Sequence, residues 1–365
     1  MSLRAHSLAF VIAISLFIVG ICCLPDASAE VPSGYSYKKS FSMPGSTDGD
    51  LYDYQVRFTL HRNAGNDRGT DVYLNNHSEN WPGDIRFTDS KDRLLNYWIE
   101  NSDTNSATVW VNVPFIPEYP EKAIVNLYYG SKSGQSASDG HSTFPFFDDF
   151  SSSNLDRWNT GVTPMVNDGS MNLDSAGDFI QSKRTFDPGT TALRARLYSA
   201  LPEDYFSAFG YGGYQGNGAW NFLDPDGAYL WFEYGGLGDY VRLYAGSKAI
   251  NSGITPFPDR EWHTYDISMD RSYKTVTITS DGSPMLSGTG DMPVSNYRNV
   301  FFGRHQKAPG NVDVRADWIL VRSNTQNEPS NGDWGKEQQL RNGLCTGVLG
   351  LALFPLLLVG IRRLR

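Results

Sequence analysis

Carboxylates are the first side chains here that could do chemistry, because two acids on one strand face can hydrolyse a glycosidic bond as nucleophile and proton donor. Glu233 is the one acid in the aromatic segment 229–234. Asp148 and Asp149 are adjacent, so an extended backbone would place them on opposite faces. A retaining pair lies about 5–5.5 Å apart. We therefore predict no catalytic residue; acids brought together from distant strands are the alternative.

Other catalytic and metal-binding patterns are missing from the sequence. It contains no G-x-S-x-G, P-loop or H-E-x-x-H motif. Its cysteines, Cys22, Cys23 and Cys345, all lie near the chain ends. The segment that starts at Asp224 begins like a calcium loop, but its twelfth position is Gly235 rather than a bidentate acid. We predict no metal site and no cofactor.

An aromatic cluster between residues 220 and 244 is the one positive indication of a binding function. It contains Trp220, Phe222, Tyr229, Trp231, Phe232, Tyr234, Tyr240 and Tyr244, interleaved with Glu233, Asp239 and Arg242. Sugar rings stack on exposed aromatic side chains, while nearby polar groups bind the sugar hydroxyls. The competing interpretation is that these aromatics fill the core of a β-sandwich.

Strand alternation divides this cluster between two faces. Trp231 and Glu233 share one face of their strand, and Arg242 and Tyr244 share one face of the next. A face that carries a carboxylate is poorly suited to a core, because a buried charge requires a partner. We therefore predict Trp231, Glu233, Arg242 and Tyr244 as the ligand-binding residues.

The elements that position these residues are predicted to be strands. Residues 54–60 alternate apolar and polar side chains, as a half-buried strand does. Further short strands separated by turn clusters are typical of a β-sandwich, and no helical period is visible in the body of the chain. The Gly/Ser-rich segment 130–143 predicts a domain boundary, after which residues 144–150 open a second strand-rich region.

Both ends of the chain carry targeting signals. Residues 1–29 combine a basic start, an apolar middle and an A-x-A site, which predicts a cleaved secretory signal peptide. Residues 344–361 are apolar and uncharged and precede three arginines, which predicts a transmembrane helix with a basic cytoplasmic tail at 362–365. An uncleaved N-terminal anchor and a removable C-terminal sorting tail are the alternatives. The polar segment 324–343 is predicted to be a stalk.

The charge balance excludes some partners. The chain has 31 Lys and Arg against 40 Asp and Glu, a net charge of −9. An acidic protein lacks the basic footprint that nucleic acid requires, and it is repelled by anionic membrane surfaces. Because the predicted body contains no cysteine, a hydrophobic core rather than disulfides must hold it together.

Four phrases in the first half, in order and spacing, resemble the DUF2341 family. They are Gly83–Thr88, Leu94–Glu100, Ala107–Pro114 and Val125–Gly130. The resemblance covers roughly residues 35–150. This family occurs in surface proteins of archaea and bacteria, and the resemblance implies no chemistry for particular residues.

The second half resembles concanavalin A-like lectin and glucanase domains, which are jelly rolls of two antiparallel sheets. The resemblance rests on Phe147–Phe150, Trp158, Trp262–Tyr265, Asp281-Gly282 and Asp317-Trp318. It implies glycan binding as one common role, which fold alone does not establish. Hydrolases of this fold carry Glu-x-Asp-x-Glu on one strand, a spacing that this sequence lacks.

Together these observations predict an all-β protein with two consecutive β-sandwich domains, the second a jelly roll, and one C-terminal transmembrane helix. The predicted domains are residues 30–143 and 144–323. The predicted function is non-catalytic binding of an extracellular glycan or envelope polymer, or adhesion, by a single-pass cell-membrane protein whose bulk is extracellular. A structural envelope spacer without a ligand and a surface glycoside hydrolase are the alternatives.

Overall fold

The computed structural model describes residues 32–340 except 162–163, 176, 201–204, 214–226, 236–237, 246–247, 255–259, 273, 290–297, 305–312 and 330. This part of the chain is about 58% β-strand with almost no helix, as predicted for an all-β protein. The predicted signal peptide, transmembrane helix and cytoplasmic tail lie outside it. Within residues 32–340, no described helix is long and apolar enough to cross a membrane.

The strands are short and follow one another closely along the chain. They are β1 Tyr37–Pro44, β2 Leu51–His61, β3 Asp71–Tyr73, β4 Arg86–Thr88, β5 Leu94–Leu95, β6 Tyr97–Ser102, β7 Ser106–Ile116, β8 Lys122–Tyr129, β9 Phe146–Asp148, β10 Trp158–Thr160, β11 Met165–Asn167, β12 Ser170–Asn172, β13 Phe179–Phe186, β14 Thr191–Ala200, β15 Tyr205–Tyr211, β16 Ala228–Gly235, β17 Gly238–Ala245, β18 Lys248–Ile254, β19 Trp262–Met269, β20 Thr275–Ser280, β21 Ser283–Thr289, β22 Arg298–Arg304, β23 Asp313–Ser323, β24 Asp333–Trp334 and β25 Gln338–Gln339. A single helical turn, α1 Gly140–Thr143, begins at Asp139, whose carboxylate accepts a hydrogen bond from Ser142 N.

These strands form four sheets. The first sandwich contains a six-stranded sheet, β24-β1-β8-β4-β5 with β25 also paired to β1, and a four-stranded sheet, β3-β2-β7-β6. The second sandwich contains an eight-stranded sheet, β11-β12-β23-β14-β19-β20-β21 with β9 paired to β23, and a seven-stranded sheet, β10-β13-β22-β15-β16-β17-β18. The predicted strand alternation is confirmed in β2, where Val56, Phe58 and Leu60 are all buried.

Each sandwich has its own hydrophobic core. In the first, Phe58 of the four-stranded sheet faces Phe41 and Phe87 of the six-stranded sheet. In the second, Leu193 of the eight-stranded sheet and Phe302 of the seven-stranded sheet belong to one buried cluster. Burial of this kind contributes roughly 25 cal/mol per Å² of apolar surface, which is the main stabilisation of a body without disulfides.

A third apolar layer joins the two sandwiches. Trp98 and Trp110 lie on the outer face of the four-stranded sheet, and Trp318 lies on the outer face of the eight-stranded sheet. The rings of Trp98 and Trp318 meet edge to face with centroids 5.3 Å apart. Leu320 of β23 completes this cluster together with Phe144 and Phe147, which come from the segment that connects the sandwiches. The four sheets are therefore stacked in sequence, with the six-stranded and seven-stranded sheets outermost.

Charged residues surround this apolar layer and form what we call the clamp: Glu100, Arg194, Asp266, Arg322 and Glu328. Arg194 is 5% exposed and pairs with Glu100 of the first sandwich at 2.7 Å and with Asp266 of the second. Arg322 pairs with Asp266 at 3.4 Å and with Glu328 at 2.7 Å. The clamp thus places compensated charges across the contact between the sandwiches.

The clamp makes stability depend on pH in acid. Burial alone would raise the pKa of Asp266, but the guanidinium groups of Arg194 and Arg322 outweigh it and hold the pKa below the usual 3.8. Folding therefore favours the ionised carboxylate. Its contribution is complete above about pH 4 and is lost as the pH falls through the lower folded-state pKa.

We expect the free energy of unfolding of the wild-type protein to decrease as the pH falls below about 4. Asp266→Asn removes part of that decrease, because asparagine does not titrate. Urea unfolding at a series of pH values measures the slope. Glu121→Gln, which changes an exposed acid, keeps the wild-type slope. An Asp266→Asn slope equal to that of the wild type would contradict the assignment.

The segment predicted to be a stalk is instead folded onto the first sandwich. Strands β24 and β25 pair with β1, and Leu340 N donates to Ser36 O at 2.8 Å. The indole of Trp334 lies 5.0 Å from the ring of Phe41 and 5.6 Å from that of Phe58. The polar composition that indicated a stalk belongs to two-residue edge strands, whose outer side faces water.

We expect Trp334→Ala to lower the free energy of unfolding by about 2–3 kcal/mol, less than a fully buried tryptophan because Trp334 is half-buried. Chemical denaturation measures this change. Gln338→Ala, an exposed residue four positions further on, changes stability by less than about 0.5 kcal/mol. Equal stability of the Trp334→Ala variant and the wild type would support the prediction that this segment is a stalk.

Candidate functional site

Strand register brings the four predicted site residues to one face of the seven-stranded sheet. Trp231 of β16 is directly opposite Arg242 of β17, and Glu233 and Tyr244 belong to the same two strands, two positions away from that pair. Directly opposite residues in an antiparallel pair share a face, as do residues two positions apart in a strand. The four residues therefore lie on a common face.

The opposite face of these strands is core. Leu230 and Leu243, paired with each other between the two strands, are fully buried. The predicted residues consequently lie on the outer face of the second sandwich, away from the eight-stranded sheet. Arg242 and Tyr244 are half-buried there. The side chains of Trp231 and Glu233 lie outside the described part of the chain, so the binding role of the four residues stays a prediction.

The neighbouring strands contribute small residues to this outer face. Across the sheet, Trp231 is opposite Ala208 of β15, and Ala208 is opposite Gly303 of β22. One step along, Gly210 of β15 lies between Tyr229 and Phe301 in the same way. We call the surface over Ala208, Gly210 and Gly303 the trough; all three residues are buried. Its floor carries at most a methyl group for each residue.

Aromatic residues border the far side of the trough. Phe301 lies on the outer face, one strand beyond Gly210, yet it is fully buried and stacks on Phe179 at a centroid distance of 5.9 Å. Gln181 is opposite Phe301 in β13. The trough therefore runs between a packed aromatic pair on one side and the predicted residues of β16 and β17 on the other.

The acids considered for catalysis lie elsewhere and have structural partners. Asp148 is 9% exposed in β9, where its carboxylate accepts Trp158 Nε1 at 2.7 Å and Phe150 N at 2.9 Å. Asp149 accepts Ser151 N at 3.1 Å. Since β9 pairs with the eight-stranded sheet, neither acid belongs to the trough. Among the described residues, no three His, Cys, Asp or Glu side chains are grouped to hold a metal; residues 224–226 lie outside them.

A second aromatic surface was not predicted. On the outer face of the eight-stranded sheet, Tyr198 and Trp262 are directly opposite, with ring centroids 5.5 Å apart. Arg196 covers the ring of Trp262 at 5.2 Å, and Arg315 covers that of Tyr198 at 5.5 Å. The alternation of Arg194, Arg196 and Tyr198 along β14 would have indicated this face. Because guanidinium groups already occupy the ring faces, they are less open to a sugar than an uncovered aromatic.

One protein family matches the segment that runs from before β4 to just after β10. Residues 81–161 match the family described as "Domain of unknown function (DUF2341)". The match covers 81 of the 365 residues. The predicted resemblance is confirmed, although the match starts later and continues further than the predicted range of 35–150. The matched segment contains Trp98, Glu100 and Trp110, and also Phe144 and Phe147, so it supplies the aromatic part of the first sandwich's side of the contact. Strand β2, outside the match, contributes as well, since Gln55 Oε1 accepts Ser323 N at 2.8 Å.

Solved structures of lectins and glucanases with the concanavalin A-like jelly-roll fold are similar to part of this chain. A β-1,3-1,4-glucanase from a mouse hindgut metagenome is 15% identical, with 48% of this chain and 98% of that chain covered at a TM-score of 0.39. An endo-β-1,3-glucanase from Pyrococcus furiosus is 12% identical, with 50% and 94% covered at 0.39. Lectin II from Ulex europaeus is 12% identical, with 49% and 98% covered at 0.40. No curated protein sequence matches the chain.

Proposed function

We propose that the trough of the seven-stranded sheet binds a glycan without catalysis, on a cell-surface protein anchored by the predicted helix 344–361. The observation that carries this proposal is the register that unites Trp231, Glu233, Arg242 and Tyr244 on the outer face beside a floor of Ala208, Gly210 and Gly303. The floor residues are small and their neighbours are large, and this contrast in side-chain size is what a recess for a sugar ring requires.

The residue types of this face suit a sugar better than other ligands. Tryptophan and tyrosine present flat apolar surfaces with one polar atom each, and arginine and glutamate provide donors and acceptors for hydroxyl groups. A few polar groups around an apolar surface fix the orientation of a neutral ligand. A polyanion is disfavoured, because the chain has a net charge of −9.

The positions of the acids disfavour catalysis. Glu233 is the one acid that the predicted site contains, and the adjacent pair Asp148 and Asp149 lies on β9 and its following loop, with structural hydrogen bonds. Hydrolysis of a glycosidic bond normally requires two carboxyl groups across the scissile bond. Glu233 is therefore assigned to hydrogen bonding of a sugar hydroxyl.

The path of the chain supports display at a surface. Ser36 and Leu340 are joined by a backbone hydrogen bond in the six-stranded sheet, so both ends of the described body leave from the same outermost layer. The trough lies on the opposite outermost layer. With stacked sheets about 10 Å apart, roughly 30 Å separates the two layers. An anchor that follows residue 340 would leave the trough at a distance from the membrane.

A structural role is the second candidate, and the clamp favours it. A contact that contains three tryptophans and a buried ion network holds the two sandwiches in one arrangement. A rigid two-sandwich unit would serve as a spacer in an envelope even without a ligand.

A glycan array with the full-length protein in detergent separates the two functions. Saturable binding to a defined glycan, abolished by the Trp231→Ala/Tyr244→Ala variant, is the result we expect. Absence of binding to every glycan, from protein with a cooperative unfolding transition, would favour the spacer.

A further inference from the structure

A cavity of about 320 Å³ lies at the edge of the contact between the sandwiches. The outer face of β2 forms one wall through Arg57 and Thr59, and the chain from Arg322 to Pro329 closes the other. Its volume is at the lower end of the range for small-ligand sites, which are common between domains. No residue of the trough lines it.

Three of the described charged side chains line this cavity: Arg57, Arg322 and Glu328. Arg57 differs from the other two. It makes no hydrogen bond or ion pair with any residue that the structure describes, whereas Arg322 pairs with Asp266 and Glu328. Arg57 is exposed to solvent at the cavity, yet the surrounding protein and the positive charge of Arg194 lower its pKa. The field of Arg194 and Arg322 at this guanidinium is opposed by that of Glu100 and Asp266, so it is the missing direct partner that favours a bound anion.

Two hydroxyl groups accompany Arg57. Thr59 and Thr70 both line the cavity, and Thr59 N donates to Thr70 O at 3.1 Å, so the two residues are neighbours. Within the described part of the chain, neither hydroxyl has a hydrogen-bond partner. Both residues are half-buried. Glu328, the acid of the cavity, already accepts the hydroxyl of Tyr54 and pairs with Arg322.

We propose that this cavity binds a single acidic sugar, a uronic acid, with its carboxylate on Arg57 and its ring hydroxyls on Thr59 and Thr70. A guanidinium matches a carboxylate with two parallel hydrogen bonds, and threonine hydroxyls both donate and accept. The volume suits one monosaccharide unit. Since the protein is acidic overall, the ligand is held by these local bonds rather than drawn in by the long-range field.

Titration calorimetry on the full-length protein in detergent tests the site with D-glucuronate, D-glucose, acetate and inorganic phosphate as probes. We expect saturable glucuronate binding that Arg57→Gln weakens at least tenfold and that glucose does not reproduce. Thr59→Val/Thr70→Val weakens glucuronate binding but leaves acetate binding unchanged. Arg93→Gln, which alters an arginine with a 62% exposed side chain in the turn before β5, is without effect.

Two results would overturn the proposal. One is glucuronate binding of equal strength in the wild type and in Arg57→Gln; the other is acetate or phosphate binding as tight as glucuronate binding. Arg57→Gln should fold normally, because Arg57 is exposed and makes no hydrogen bond or ion pair with a described residue. If it does not, Arg57→Lys keeps the charge and loses the paired hydrogen bonds, so it must still weaken glucuronate binding. A Trp231→Ala/Tyr244→Ala variant retains glucuronate binding, which separates this site from the trough.

Discussion

Replacing Arg194 with leucine is expected to lower the free energy of unfolding by about 3–5 kcal/mol, the largest stability effect of a single substitution that we foresee. Arg194 is 5% exposed and bridges Glu100 of the first sandwich to Asp266 of the second. Without it, Asp266 still has Arg322 as a partner, but Glu100 loses its only ion pair within the described residues. The side chain of Glu100 is 4% exposed, so its charge would be left buried with the indole N–H of Trp110, at 2.7 Å, as its remaining hydrogen-bond donor.

Chemical denaturation of Arg194→Leu and Arg196→Leu provides the matched comparison. Arg196 is two positions along the same strand and pairs with Asp317, but its side chain is 43% exposed. Exposed pairs contribute roughly 0–1 kcal/mol, so Arg196→Leu should stay within that range. A destabilisation below about 1 kcal/mol in Arg194→Leu would mean that the clamp does not hold the sandwiches together.

Loss of the aromatic face is expected to have the largest effect on binding. For the tightest glycan of the array, Trp231→Ala/Tyr244→Ala should weaken the affinity by about 30-fold or more, since central aromatic anchors each contribute about 2 kcal/mol. The substitutions act on the outer face, where they do not remove the buried pair Leu230 and Leu243. Calorimetric titration of both proteins with that glycan measures the change.

The matched control removes another aromatic pair from the second sandwich. Tyr198→Ala/Trp262→Ala alters the outer face of the eight-stranded sheet, which lies on the other side of the core. This variant should keep the wild-type affinity. The reverse pattern, loss in the control and retention in the Trp231→Ala/Tyr244→Ala variant, would move the glycan site to the eight-stranded sheet.

Local pattern was sufficient to predict the fold class and the shared face. Alternation along β2 and along β16 is a property of neighbouring residues, so it is visible without knowledge of the fold. The same alternation assigned Trp231 and Glu233 to one face, and the register between β16 and β17 places Arg242 and Tyr244 on it. The small floor residues Ala208 and Gly303 were not predicted. The sequence of a single strand does not reveal which strands will be its neighbours in the sheet.

The contact between the sandwiches could not be predicted for the same reason. Arg194 and Glu100 are 94 residues apart in sequence, and Arg194 and Asp266 are 72 apart. Only the stacking of four sheets brings them together. The sequence shows that Trp110 lies in an alternating strand. It does not show that Trp110 is buried, because the second sandwich, with Trp318, covers that face.

The segment after residue 324 shows how composition can mislead. Its polar residues and glycines predicted a stalk, yet Trp334 packs on Phe41 and Phe58 and Leu340 bonds to Ser36. A lone tryptophan in a polar segment was the available signal, since an exposed tryptophan has no role in a stalk. The two strands are too short to be recognised by period.

Hydrogen–deuterium exchange of the full-length protein, with and without the tightest glycan of the array, tests the central claim most directly. Bound glycan should slow exchange in peptides that span β16 and β17, residues 228–245, and leave β19 unchanged. Protection confined to β14 and β19, or spread over neither strand pair, would contradict the assignment of the trough as the glycan site.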